Sequence, residues 1–263
     1  MKRADLWLFP VGAAIAFVGA LCGIGGGLFT VPILHFVRKL ELKEAVATAL
    51  VLVLATTGCS TITEALRPDP DLNWRLVAVV ASGVLMGAQV GYWTVSWLRV
   101  RTLRMVFVVV FVLAGGQLVF GILGSASDLP VSGGAAIVSW DYLYAFAAGY
   151  LGGMAAPLLG VGGGLVMVPM LFIGLDVLDF GEARATSLAA GTVGALRGLW
   201  LHGRAGRVHL PAVLPLALGA VGGAVAGVFV VHEPGVVEVC RYVLSGILWL
   251  TAVRFVLELR RKE

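Results

Sequence analysis

"GIGGGLFTVPIL" occupies residues 23–34, and "GVGGGLVMVPML" returns at 160–171 with eight of twelve positions identical. Each copy places three adjacent glycines inside an apolar run. Glycine is the residue that costs most in a helix and the one that adopts backbone angles closed to others. Two interruptions of the same kind, 137 residues apart, therefore mark two designed breaks in otherwise helical sequence.

The surroundings of these breaks are strongly apolar. Hydrophobic residues make up 59% of the 263-residue chain and charged residues 13%, and the mean hydropathy is +0.98. A soluble domain carries roughly 25% charged residues. Apolar stretches recur at 6–22, 27–37, 45–66, 74–97, 105–124, 142–159, 164–175, 183–201, 211–231 and 239–257. Most approach the ~20 residues needed to cross a bilayer. The chain is accordingly an all-α polytopic membrane protein. Lys2 and Arg3 precede an apolar stretch as in a signal peptide. Leu21 is too bulky for a lipoprotein cleavage site before Cys22, and no A-x-A site follows, so the first segment is kept in the mature protein. Cys22, Cys59 and Cys240 are far apart and odd in number, which argues against a disulfide framework and against zinc.

The stretches at 27–37 and 164–175 are too short to cross, and each follows a triple glycine. Each pair, 6–22 with 27–37 and 142–159 with 164–175, is either a long broken span or a re-entrant hairpin. Charge decides. With hairpins and a cytoplasmic N-terminus, Lys2, Arg3, Arg38, Lys39, Lys43, Arg99, Arg101, Arg104, Arg204, Arg207, Arg260, Arg261 and Lys262 all lie inside, 13 of 19 basic residues. Arg67, Arg75, Arg184 and Arg241 then lie outside. Broken spans put the clusters at 38–43 and 99–104 outside, against the positive-inside bias. Hairpins imply a multi-pass protein of the inner or plasma membrane with both termini cytoplasmic.

One hairpin plus three crossings per copy is an odd number, so the second copy enters from the opposite face. The repeat extends beyond the glycines: "EAVATAL" at 44–50 matches "EARATSL" at 182–188, "GVLMGAQVG" at 83–91 matches "GAVGGAVAG" at 219–227, and Arg104 matches Arg241. The expected organisation is two inverted repeats, 1–124 and 141–263, joined by a loop at 125–140.

Irregular backbone at membrane depth is tolerated only where protein covers it or a watery cavity meets it. Gly83, Gly87 and Gly91, like Gly219, Gly223 and Gly227, have the small-xxx-small spacing of closely packed helices. Gly25, Gly26 and Gly27, and Gly162, Gly163 and Gly164, differ. Successive N–H groups there can form an anion-binding nest, and the short helix that follows offers free donors and a positive dipole end. Pro32 and Pro169 suit the first turn of those helices, and Thr30 suits the cap of the first. Interrupted segments at corresponding places in two inverted copies point to a transporter's midplane site. A Rossmann-type phosphate loop would need a strand and a βαβ unit, which the sequence lacks.

The duplicated pattern G-x-G-G-G-x-x-x-V-P-x-L, then A-T-x-L, then a glycine-spaced helix, resembles the TauE/SafE family of sulfite and sulfonate exporters over nearly the whole chain. The resemblance implies a transporter of small sulfur oxyanions or organosulfonates such as sulfoacetate. Ala49 stands where the second copy has Ser187, which weakens a shared hydroxyl role there.

Other polar residues complete the candidate substrate-binding set. Thr48, Thr186 and Ser187 start the crossings after each hairpin and could bond an anion or their own helices. Gln89 and Gln117 lie inside spans and need partners. Arg197 is the one charge well inside an apolar span; its fork suits sulfonate or carboxylate oxygens, and the alternative is snorkelling to the interface. No carboxylate or histidine falls mid-membrane, so no proton relay is visible. "GCS" at 58–60 and His202 lack the spacing of a nucleophile and its base, so the expected function is not enzymatic. The expected partners are a small anionic substrate and the lipid bilayer, with no nucleic acid, metal or cofactor; a homodimer is compatible with the sequence. An anion channel on the same scaffold, or a carrier for a non-sulfur carboxylate, are the alternatives.

Overall fold

The computed structural model describes residues 7–97, 105, 108, 112, 115–116, 138–159, 162–175, 178–204 and 208–260. Among them every regular element is helical: α1 (Leu8–Cys22), α2 (Gly27–Pro32) running into a π-helical turn (Ile33–Val37), α3 (Leu42–Ala65), α4 (Trp74–Trp97), α5 (Ser139–Leu159), α6 (Gly164–Gly174), α7 (Phe180–Gly203), α8 (Leu210–Val231) and α9 (Val236–Arg260). Most of the stretch expected at 105–124, with Gln117, lies outside the described residues. So do Arg99, Arg101, Arg104, Arg207 and the connecting loop before residue 138. Among the described residues four helices are long and apolar enough to cross a bilayer, over Lys43–Ala65, Trp74–Trp93, Val213–Val231 and Val236–Arg254. α7 has the length, 24 residues, but carries Glu182, Arg184 and Arg197.

Local chemistry sets the helix ends. Asp179 Oδ1 accepts from Glu182 N at 2.7 Å and Asp179 N donates to Glu182 Oε2 at 3.2 Å, a capping box that starts α7. Asn73 Oδ1 accepts from Leu76 N at 3.3 Å ahead of α4. α1 stops where Gly23 turns left-handed at φ 75°.

Both motif copies turn back on themselves. A Cβ placed on Gly163 would lie 2.5 Å from Gly152 O, and one on Gly174 would strike the Tyr144 ring. Since 152 precedes 163 as 144 precedes 174, α6 runs back along α5. In the first copy a Cβ on Gly26 would lie 2.7 Å from Ile15 Cγ2, and Leu34 shares a buried cluster with Leu8 and Ile15. In both copies the short helix thus returns alongside the helix before it.

The glycine-spaced helices bind across the copies. Cβ atoms on Gly83, Gly87 and Gly91 of α4 would lie 2.3, 2.0 and 2.7 Å from the carbonyl oxygens of Phe146, Tyr150 and Met154 on α5. On α8, those on Gly219, Gly223 and Gly227 would lie 2.1, 2.0 and 2.8 Å from those of Phe9, Ala13 and Phe17 on α1. The two lists correspond pair for pair in the repeat, and both helix pairs are parallel. Any side chain at these positions would push the backbones apart. Between them α3 and α7 cross antiparallel at the centre: Leu50 meets Gly198, Thr57 meets Gly191, and Glu64 meets Arg184. Large apolar side chains such as Trp140 and Leu250 face outward, as on a surface that contacts lipid tails.

Candidate functional site

The two glycine breaks are brought into contact at that central crossing. Gly25 and Gly26 take φ of 69° and 79°, and Gly162 and Gly163 take 74° and 81°, angles that cost an L side chain roughly 1–2 kcal/mol. Gly26 and Gly163 are the residues before the first turns of α2 and α6, and no side chain caps either helix. Phe29 N and Val166 N donate to the Gly26 and Gly163 carbonyls at 3.3 and 3.1 Å, and the N–H groups ahead of them have no acceptor within their own helix. A Cβ on Gly164 would lie 2.3 Å from Gly23 O. Val53 of α3 touches both breaks, at 3.1 Å from a Cβ built on Gly25 and 2.6 Å from one built on Gly162. Residues 23–27 and 162–164 are buried, with Val53 and Thr57 lying over them.

Two sequence expectations need correction here. Thr30 is not a cap: it sits inside α2 and its Oγ1 donates back to Gly26 O at 3.1 Å. Pro32 and Pro169 fall in the second turn, not the first, because the helices begin at the third glycine. Proline there withholds an N–H from the carbonyl four residues back. In the first copy the chain then widens to a π turn closed by Arg38 N donating to Ile33 O at 3.3 Å.

The hydroxyls of the matched A-T-x-L segments divide in use. Ser187 Oγ donates to Gly23 O at 3.1 Å and ties α7 to the first break. Ala49, its counterpart, offers no such bond. Thr48 Oγ1 accepts from His209 N at 3.0 Å, ahead of α8. Thr186 Oγ1 is buried and has no hydrogen-bond partner among the described residues. Gln89 and Arg197 are joined elsewhere. Arg197 Nη2 donates to Gln89 Oε1 at 2.5 Å, and its guanidinium stacks on Trp200, 4.6 Å from the ring centre. They line a groove of about 500 Å³ with Leu85, Met86 and Val90 on the α4–α7 side.

The residues that the sequence reading passed over lie at the other end of the α3–α7 seam. Arg184, assigned to the outer surface by the charge count, is fully buried. Its Nη2 donates to Glu64 Oε2 at 2.6 Å and its Nη1 to Ala20 O at the end of α1 at 3.3 Å. Glu64 is 1% exposed, and its Oε1 accepts from Arg67 Nη1 at 2.8 Å. His232 Nδ1 donates to Val228 O at 2.7 Å, and its Nε2 lies against Arg67 Nη1 and 3.1 Å from Asp71 Oδ2. Removing one partner of a buried ion pair costs roughly 3–5 kcal/mol, because the other charge is left uncompensated. Glu64, Asp71 and His232 present ligand atoms within 4.8 Å of one another. Both oxygens of Glu64 are already taken by guanidiniums, of Arg67 and Arg184, so the donor set does not fit a metal ion. The signal was present in the sequence: one acid in the apolar run 45–66, and an arginine where the first copy has Val46.

With the two breaks paired in a helical membrane core, the sequence profile of the family described as "Sulfite exporter TauE/SafE" matches residues 2–128 and 145–263. The chain belongs to the TauE/SafE family. It is similar to the "Probable membrane transporter protein YunE" of Bacillus subtilis (strain 168), 29% identical over 114 residues. That match covers 42% of this chain and 41% of the relative. No solved structure matches the chain. This TauE/SafE protein has helices long and apolar enough to cross a membrane, and its paired breaks are the candidate site.

Proposed function

We propose that this protein is a secondary transporter that exports small anions, sulfite or organosulfonates such as sulfoacetate, across the cell membrane by alternating access. One observation carries the reading: two left-handed glycine breaks, each followed by a helix start, touch at the crossing of α3 and α7. Each break precedes a helix start, whose N–H groups and positive dipole end suit a compact oxyanion. The proposed holding groups are the amides of Gly26, Gly27 and Gly162–Gly164; Gly25, expected among them, donates its N–H to Gly19 O at 3.4 Å. Thr30 and Ser187 hydrogen-bond to the Gly26 and Gly23 carbonyls of the first break, and Thr48 and Thr186 complete the proposed set. Gln89 and Arg197 stand apart as a pair on the outer groove.

Residues 1–124 and 141–263 are read as inverted repeats, with both termini cytoplasmic. Support comes from the matching contacts of α4 on α5 and α8 on α1, both parallel, and from the antiparallel α3–α7 crossing. Inverted copies rocking about a fixed centre would expose the breaks to one side and then the other. Val53 and Thr57 lie over the breaks, as a closed form of such a cycle would require. No covalent step is assigned, and the protein is read as a carrier, not an enzyme.

The test is flux. Purified protein in liposomes loaded with radiolabelled sulfite should release it at a rate that saturates with concentration, and unlabelled sulfite outside should drive counterflow. A rate that rises linearly without counterflow would assign a channel, and no protein-dependent flux of sulfite or sulfoacetate would overturn the substrate class.

A further inference from the structure

Arg184 uses only part of its bonding capacity. One edge of a guanidinium presents Nε–H and an Nη–H in a plane, spaced for two oxygens of one carboxylate or sulfonate. Glu64 Oε2 takes Nη2 of that edge at 2.6 Å. Nε is buried and has no hydrogen-bond partner among the described residues. Glu64 is poorly placed to supply the second bond, because its other oxygen is held by Arg67 Nη1 at 2.8 Å and lies 3.4 Å from His232 Nε2. The carboxylate bridges two guanidiniums and fully satisfies only one.

The same arginine borders the first break. A Cβ on Gly23 would lie 3.1 Å from Arg184 Cγ, and Ser187, three residues on, donates to Gly23 O. In the repeat, Val46 and His202 stand where Arg184 and Glu64 stand, so this fork exists at one end of the seam only.

We infer that Arg184 grips the transported anion, and that Glu64 is a tethered occupant of the fork which a free oxyanion displaces. This rests on the anion-transporter reading above. The ligand is a small oxyanion with at least two oxygens on one centre, able to reach Nη2 and Nε together. Displacement leaves no charge stranded: the anion neutralises Arg184, and Glu64 stays with Arg67, which already holds its Oε1. Glu64 thereby keeps the fork neutral while it is empty of substrate and sets a threshold that an incoming anion must exceed.

The experiment measures thermal unfolding of the purified full chain in sodium sulfite and in sodium methanesulfonate, against sodium chloride of equal ionic strength. A ligand that binds the folded form raises the midpoint by an amount that grows with the logarithm of one plus the ratio of free ligand to Kd. Glu64→Gln removes the competing charge and should lower the apparent Kd for sulfite about tenfold or more. Glu64→Asp, which keeps the charge but shortens its reach, should fall between; it decides the matter if the glutamine variant is too unstable to purify. Glu64→Gln combined with Arg184→Gln should lose the response. Equal sulfite affinity in the wild type and both Glu64 variants, or a response that persists in the double variant, overturns the assignment of Arg184 and leaves the transporter reading standing. No response to either anion in any form overturns both.

Discussion

Gly164 stands directly on the carbonyl of Gly23, so close that a methyl group would lie 2.3 Å from the oxygen. The start of one short helix is thus seated on the end of the opposite hairpin's first helix. A contact between backbone and backbone cannot give way as a side chain can. Gly164→Ala should therefore lower stability by roughly 1–3 kcal/mol. Thermal unfolding in detergent measures it, and transport in liposomes should fall further than the stability loss explains.

The crossed helix pairs make a matched prediction. Gly87→Ala and Gly223→Ala each place a Cβ 2.0 Å from a carbonyl, of Tyr150 and Ala13 respectively. Both should destabilise by similar amounts, roughly 1–3 kcal/mol. Gly222 is the control on the same helix: nothing lies within 4 Å of its Cβ direction. Gly222→Ala should be neutral or stabilising by up to about 1 kcal/mol, since alanine is the better helix former.

Arg197 separates the outer groove from the central breaks. Its guanidinium is held by Gln89 and by the face of Trp200. Arg197→Gln should leave the apparent Kd for sulfite within about threefold of the wild type, while thermal stability drops by about 1 kcal/mol through the lost stacking. Isothermal titration of the purified variant against sulfite checks this; a tenfold weaker affinity would bring Arg197 into the site.

Sidedness is tested by labelling. In a background with Cys22, Cys59 and Cys240 replaced, single cysteines at Lys39 and Asp69 bracket α3 (Leu42–Ala65). They should react with an impermeant maleimide from opposite faces of intact cells. A cysteine at Glu233 should report with Asp69, because His232 lies 3.1 Å from Asp71.

The sequence carried the helices, the hairpins and the glycine pairing because each has a local signature. Run length, basic clusters at 38–43 and 99–104, and small-residue spacing all survive in one dimension. The Thr30 cap and the first-turn prolines failed because helix starts were assigned one turn late: three glycines can be split between loop and helix in several ways, and only the backbone angles choose. Arg184 escaped because charge counting ranks a residue by its distance from a span's end. Its burial depends on α3 ending beside it, with Glu64 facing inward, and neither α3's rotation nor its partner is written locally. Ser187 was visible as a hydroxyl, but its acceptor, Gly23 O, lies 164 residues away in the chain.

The exchange of helices between the copies has a consequence for synthesis. Ala13 leaves the ribosome 210 residues before Gly223, the glycine that receives its carbonyl in the finished protein. At roughly 5–20 residues per second, α1 waits on the order of ten to forty seconds for its partner. During that interval the nascent N-terminal hairpin, too short to span and unpaired along its glycine face, depends on the insertion machinery or on surrounding lipid for company. A ribosome that stalls before α8 would release a chain whose first element has nowhere to dock.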